Sequence, residues 1–452
     1  LVLVLYDEPI PPYLVEVLTQ KYPNIKAIAA HYGFDTSHWF IVAVTKGLLV
    51  FISDEKISAG AKEACVFDSI GKRLILSPQE TTVNDYKRKL EDILRDISDD
   101  TMPQTRDGVT VKLTLASDDL SLEAITKVNE LRVEEIGLVR SEQDYTLKLP
   151  REDRLSWKLK LAANNFKGGV IAYRTVDKGE DKATPVLKGN KTGLRYYFED
   201  EEGRSVIRTQ FRAAIKAYVD SERKNIRLVL PMVSNGKDAE NIFLFLDQVK
   251  KELMEEGISL EVMDIKIGFM IETAEAVENR EILLENAAFA NLGTNDLIKH
   301  TFGVDRDNKK HRDYFVNPQY LLLADIKKAI DSARKKDKEI VICGVLPTLE
   351  WFYPFYLYLL KDVAKVSLCL PAELLKKAKK IIRNLSYQDS VSRFEWLFPQ
   401  EESFSLYKNI FAIKPATWKT AKIVKGRIES MQELIHAAGE VGARMGKYFS
   451  DN

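Results

Sequence analysis

The sequence predicts an α/β protein whose larger part is a (β/α)8 barrel of the TIM type, preceded by a small α/β unit. Three observations predict it. Strand-sized apolar runs rich in Val, Ile and Leu recur at 109–116, 135–139, 169–173, 226–231, 265–271, 289–292, 340–342 and 366–368. Helical patterns separate or follow them at 120–131, 205–219, 238–256, 273–284, 321–335, 350–360 and 371–385. Buried strands joined by helical crossovers make parallel sheets, and eight such units over this length close into a barrel. The third observation concerns the alternative, an open doubly wound sheet: no Gly-rich dinucleotide loop follows any of the runs.

The chain has 452 residues, 45% hydrophobic and 30% charged. That balance provides a large core, and the length suggests two or three domains. Over residues 1–80 short apolar runs alternate with turns. LVLVLY, KAIAA, FIVAV (40–44), LLVFI, CVFD and RLILS read as strands, with a helix over 12–21. The chain opens inside an apolar run, so this first unit is expected to be incomplete at its N-terminus. A charged helix over 83–97 and a stretch broken by Pro and Gly form a linker, 81–108. The barrel takes 109–386. A helical extension, 387–452, follows; in it Val424, Ile428, Met431, Ile435, Ala438 and Val441 recur at spacings of three and four, a stripe suited to packing on the barrel or to a dimer seam.

Lys plus Arg and Asp plus Glu both number 67, so no basic excess points to nucleic acid. Three cysteines, Cys65, Cys343 and Cys369, make no disulfide framework and fit a reducing, cytoplasmic setting. No apolar run reaches the ~20 residues of a membrane span.

In a barrel of this kind chemistry sits where strands end. Those ends carry Arg140 and Glu142, Arg174 and Asp177, Glu272, Asn295 and Asp296 with Arg306 beyond them, and Cys343. Each alone reads as a loop charge, a cap or a small buried side chain. Together they describe an anion site. Glu272 and Asp296 end neighbouring strands, about 4.8 Å apart, and can share Mg²⁺, which takes one or two carboxylates and substrate oxygens at about 2.1 Å. Arginines grip phosphate and carboxylate bidentately. Arg208 and Arg212 lie four apart on a helix that starts near these ends. Cys343 is either a buried hydrophobe or a proton donor.

GTNDL at 293–297, VDRDN at 304–308, ET at 272–273, RTVDKGEDK from 174, GLVRSE and ICG at 342–344 resemble, in order and spacing, the phosphoenolpyruvate (PEP)-binding domain shared by enzyme I of the bacterial sugar phosphotransferase system, PEP synthase and pyruvate phosphate dikinase. The enzyme I version is the most similar, and the resemblance covers about 109–385. DTSHW at 35–39 resembles the TSH signature of the swivelling phosphohistidine domain of the same family. The resemblance implies Mg²⁺ on Glu272 and Asp296. It implies PEP on Arg140, Arg174, Arg212, Asn295 and Arg306, protonation of the enolate by Cys343, and phosphorylation of His38. It also implies onward transfer to a histidine-containing phosphocarrier protein, release of pyruvate, and a homodimer. Two alternatives stay open. One is a synthase or dikinase relative. The other is a PEP-binding regulatory protein without turnover, which rests on Val44 and Val345, where the family has an arginine and an acid.

Overall fold

The computed structural model describes residues 2–6, 10, 12–22, 24–31, 38–45, 48–53, 65–68, 73–95, 102–146, 148–179, 186–188, 191–361, 365–395 and 398. The expected helix with the stripe Val424–Val441 lies outside them.

In the first unit, β1 (Val2–Tyr6), β2 (Ile25–Ala30) and β3 (Leu49–Ile52) pair in parallel in that order, and β4 (Cys65–Asp68) pairs antiparallel with β5 (Arg73–Leu76). The helix Pro12–Lys21 crosses from β1 to β2 as expected. FIVAV is a correction. It lies in a helix, His38–Thr45, not a strand. Trp39, Val42 and Ala43 recur at three and four and are buried with Val15 and Ile28, so a helical face, not an alternating one, satisfies the run. The charged helix spans Glu80–Arg95.

The second unit is the expected barrel. Its strands are β6 (Lys112–Ser117), β7 (Glu135–Arg140), β8 (Val170–Arg174), β9 (Ile226–Leu230), β10 (Lys266–Ile271), β11 (Phe289–Gly293), β12 (Glu339–Cys343) and β13 (Val366–Leu370). All neighbours are parallel, and β13 pairs with β6 to close the ring. Alternate residues serve two cores. Ile340 and Ile342, or Val366, Leu368 and Leu370, face the helices. Leu138, Ala172, Val229, Met270, Val341, Cys343 and Cys369 form a separate cluster within the ring.

Several helices differ from expectation, and Gly193–Glu199, Thr294–Phe302 and Arg312–Val316 fall where none was expected. Glu152–Asn165 fills the gap between β7 and β8, where no helix was expected. Its buried stripe is Leu155, Leu159, Ala162 and Ala163, and two alanines give a faint apolar signal. The expected helix 273–284 is two, Ala274–Glu278 and Arg280–Asn286. Asn279 between them turns its amide to Ser234 O, at 3.1 Å. Among the described residues no helix is long and apolar enough to cross a membrane.

The barrel is latched at its ends. Asp107 accepts from the backbone N–H groups of Tyr387 (2.8 Å) and Gln388 (2.9 Å), and Arg106 N donates to Leu385 O, at 2.9 Å. Beyond the latch, Phe394 and Phe398 pack on Phe355 and Tyr358.

The foot of the ring, at the strands' N-terminal ends, is plugged by charge. Lys112 Nζ meets Glu135 (2.7 Å) and Glu339 (3.3 Å), while Arg227 meets Glu339 (2.7 Å) and Glu135 (3.5 Å). The Arg227 guanidinium sits 4.0 Å from the Phe289 ring centroid. Burial would raise the Glu339 carboxyl, but Arg227 and Lys112 outweigh it and hold the group below its ordinary range. The stability this adds is therefore present above the ordinary carboxylate range and lost as pH falls through the lowered value. Glu339→Ala leaves Arg227 short of a partner and is expected to cost on the order of 3 kcal/mol, read as a lower urea midpoint at pH 7. An unchanged midpoint would mean the plug carries no stability.

Candidate active site at the barrel mouth

Closing the ring brings the C-terminal ends of all eight strands to one face. The last residues of β7 and β8, Arg140 and Arg174, are register partners. Asp118 follows β6 directly and takes Arg140 side-on. Its Oδ1 accepts from Nε and its Oδ2 from Nη2, the latter at 2.8 Å. Arg174, 5% exposed, donates from Nη2 to Glu142 Oε1. The same oxygen accepts from Asp177 N at 3.3 Å.

Burial alone would ease the proton off Arg174. Glu142, then Asp177, Glu272 and Asp296, outweigh it and hold the guanidinium charged, above its ordinary range. So the acids that end β10 and follow β11 both lie within electrostatic reach of one buried arginine. Glu272 Oε1 accepts from Met232 N, at 2.8 Å, on the loop after β9. Arg306, also 5% exposed, approaches Asp296 to 3.7 Å. Asp296 lies in the first turn of the helix Thr294–Phe302, where the backbone N–H groups favour negative charge.

Asn295 and Cys343 sit in one tight corner. Asn295 Oδ1 accepts from Val345 N, at 2.8 Å, and Thr294 Oγ1 donates to Cys343 O, at 2.8 Å. Gly344 makes the corner possible. Its φ is +97°, and a Cβ there would lie 2.5 Å from Thr294 Oγ1. The Cys343 thiol donates to Leu292 O at 3.4 Å. Burial, with Cys369 and Glu272 adding to it, pushes this thiol well above its ordinary range, so it carries its proton at neutral pH.

Of the sequence-predicted residues, Arg140, Arg174, Glu272, Asn295, Asp296, Arg306 and Cys343 therefore gather at the mouth. Arg212 does not, and this is a correction. Its guanidinium is held by Glu152 (2.6 Å), Glu252 (3.3 Å) and Glu256. Glu252 and Glu256 lie at the C-terminal end of the helix Gly236–Glu255, which has run from the mouth back toward the foot. Gln210, two residues earlier on the same helix, turns toward the mouth loops, and two residues are about 200° of helical rotation, so Arg212 points away from them, among the helices. His38 begins the helix His38–Thr45, and its side chain lies outside the described residues.

Two functional-site residues were missed. Asp118 looks like a turn acid in ASDDLS, and nothing in its spacing reveals that β6 and β7 lie side by side. Gln210 is fully buried on the helix Glu201–Asp220. Its amide donates to Ser141 Oγ (3.2 Å) and accepts from Val176 N (3.1 Å), fixing the loops that follow both arginines. A glutamine amid the apolar positions of VIRTQFRAAI was its only signal.

The fold and mouth define a closed (β/α)8 barrel that gathers arginines and acids at the C-terminal ends of its strands. Residues 94–387 match the family model described as PEP-utilising enzyme, PEP-binding domain, and the chain belongs to that family. Over 347 residues it is 31% identical to the phosphoenolpyruvate-protein phosphotransferase of Borreliella burgdorferi, covering 71% of this chain and 58% of that protein. It is 26% identical over 429 residues to the protein of the same name in Priestia megaterium (91% and 72%), and 28% over 341 residues to that of Streptococcus equinus (71% and 57%). The chain thus spans less than two thirds of the first and third of these relatives. All the mouth residues lie inside the matched segment, and His38 lies outside it.

The corner at Gly344 gives a direct test. Gly344→Ala adds backbone strain and a steric clash, each of order 1–3 kcal/mol. Thermal melting should show a clear loss of stability, whereas a melt equal to that of the unchanged protein would refute the left-handed corner.

Proposed function

We propose that the chain is a PEP-dependent protein phosphotransferase of the enzyme I type. The phosphoryl group moves from PEP, bound with Mg²⁺ at the barrel mouth, to His38, and from there to a histidine-containing phosphocarrier protein, with release of pyruvate. The observation that carries the reading is the charge at the mouth. Among the described residues, the arginines Arg140, Arg174 and Arg306 stand beside the buried carboxylates Asp118, Glu142, Asp177, Glu272 and Asp296, with the buried Lys178 on the loop after β8. Carboxylates this close to the arginines repel an anion, and a cation held on them would offset that repulsion.

The residues fit Mg²⁺. Glu272 and Asp296 are hard oxygen donors at the ends of neighbouring strands, and this ion usually takes one or two carboxylates and draws its other ligands from water and substrate. When bound, the ion would neutralise charge on the phosphate and on the enolate oxygen.

The chain's own residues have distinct tasks in this reading. Arg140, Arg174 and Arg306 bind the phosphate and carboxylate and offset charge on the moving phosphoryl group. Asn295 orients the substrate. The P–O bond to the enolate breaks as a bond to a His38 ring nitrogen forms. The enolate oxygen becomes a carbonyl, and Cys343 Sγ–H gives its proton to carbon three, completing pyruvate. The thiol's raised proton affinity keeps the proton in place at neutral pH, and only a stronger base such as the enolate carbon would take it. The first unit would swing to carry phosphohistidine to its acceptor. That motion, the partner, the cytoplasmic setting and a homodimer rest on the resemblance and the relatives' names.

The test is incubation with ³²P-labelled PEP and Mg²⁺, beside His38→Ala. Acid-labile label is expected on the unchanged protein and none on the variant. Label that persists in His38→Ala, or its absence from both, would defeat the phosphotransferase. PEP binding without label would favour a PEP-binding regulatory protein, the role to which the buried Val345 beside Cys343 points.

A further inference from the structure

We infer that Asp118 is a positioning residue for the anion site: it fixes the Arg140 guanidinium so that its free edge faces the substrate. The inference rests on the PEP-binding reading and deepens it. A guanidinium has a side-on edge, Nε with Nη2, and an end-on edge, Nη1 with Nη2. Asp118 occupies the side-on edge through both of its oxygens. The end-on edge keeps its donors for a second bidentate acceptor, the geometry in which arginine holds a phosphate or carboxylate.

The pair is built to hold still. The Asp118 side chain is 4% exposed and that of Arg140 15%. Asp118 lies within a locked turn. Ser117 Oγ donates to Asp119 O (2.8 Å), and Asp119 Oδ1 and Oδ2 accept from Ser121 N and Oγ, both at 2.8 Å. Ser117 and Val139 are register partners, so Asp118 and Arg140 are the next residues along two adjacent strands. A free arginine would lose about 2 kcal/mol of side-chain entropy on gripping a ligand. One already clamped at its far edge has lost much of it beforehand.

Two effects of Asp118 on anion affinity oppose each other. Its charge repels the ligand, and its grip orients the arginine. The inference states that orientation wins, which fixes the sign of the test. Glu373, after β13, is a second carboxyl within electrostatic reach of both Asp118 and Arg140; burial pushes it up to about 7, so near neutral pH it is only partly charged and does not replace Asp118.

The experiment is calorimetric titration of PEP in the presence of Mg²⁺ into the full chain, Asp118→Asn and Asp118→Glu, each checked for an intact melt. Both variants are expected to bind PEP on the order of tenfold more weakly. The asparagine removes the two-oxygen grip, and the glutamate keeps the charge but displaces the guanidinium. Tighter binding by Asp118→Asn would mean that the carboxylate only competes with the ligand. Weakened binding by Asp118→Asn with unchanged binding by Asp118→Glu would assign the effect to charge. Unchanged binding by both would mean that it does nothing; each of these three results overturns the inference while leaving the PEP reading intact. Failure of the unchanged chain to bind PEP would overturn both.

Discussion

Pairing of buried charge across the ends of the barrel strands is the interaction on which the rest of the molecule depends, and the two ends of the ring use it differently. At the foot, Lys112 and Arg227 face Glu135 and Glu339, two cations against two acids in mutual contact. That end is electrically complete, and it reads as a plug. At the mouth, among the described residues, Arg140, Arg174 and Arg306 are interleaved with Asp118, Glu142, Asp177, Glu272 and Asp296. Removing carboxylates from water is costly unless each is paired and hydrogen-bonded, and Asp118 and Glu142 are each held by an arginine. Glu272 and Asp296 follow neighbouring strands, and in the proposed reading they hold a divalent metal ion.

The rigid parts of the fold explain why the mouth holds its shape around such a site. Gln210 ties together the loops after β7 and β8, which carry both strand-end arginines. The corner at Gly344 fixes Cys343 against the helix that bears Asn295 and Asp296. Met232 N directs one oxygen of Glu272. These restraints come from backbone and from neutral side chains, so they orient the charged groups without altering the balance of charge. The thiol of Cys343, buried between β12 and the ring core, keeps its proton for the same reason that its surroundings are apolar.

Much of this was legible in the sequence where a local pattern and the tertiary outcome coincide. The eight barrel strands are buried on both faces, so each is an apolar run with no competing reading, and the strand ends could be read directly. FIVAV was legible as buried but not as helical, because five apolar residues satisfy either period and Trp39 just before the run decides the face. The helix Glu152–Asn165 was not legible because half of its buried stripe is alanine. Arg212 was misplaced because the motif containing it fixes its helix but not the face it presents, which Gln210 two residues earlier takes instead. Asp118 was missed because its partner lies 22 residues away, on a strand whose adjacency exists only once the barrel has closed.

The central claim is that the mouth needs a divalent cation to accept its anion, and equilibrium titration of the full chain with PEP, with and without Mg²⁺, tests it most directly. The account predicts binding when Mg²⁺ is present and its loss when a chelator removes the ion. Equal binding of PEP in the chelated protein would contradict it, because the mouth's own cations would then suffice to hold the anion beside the buried carboxylates.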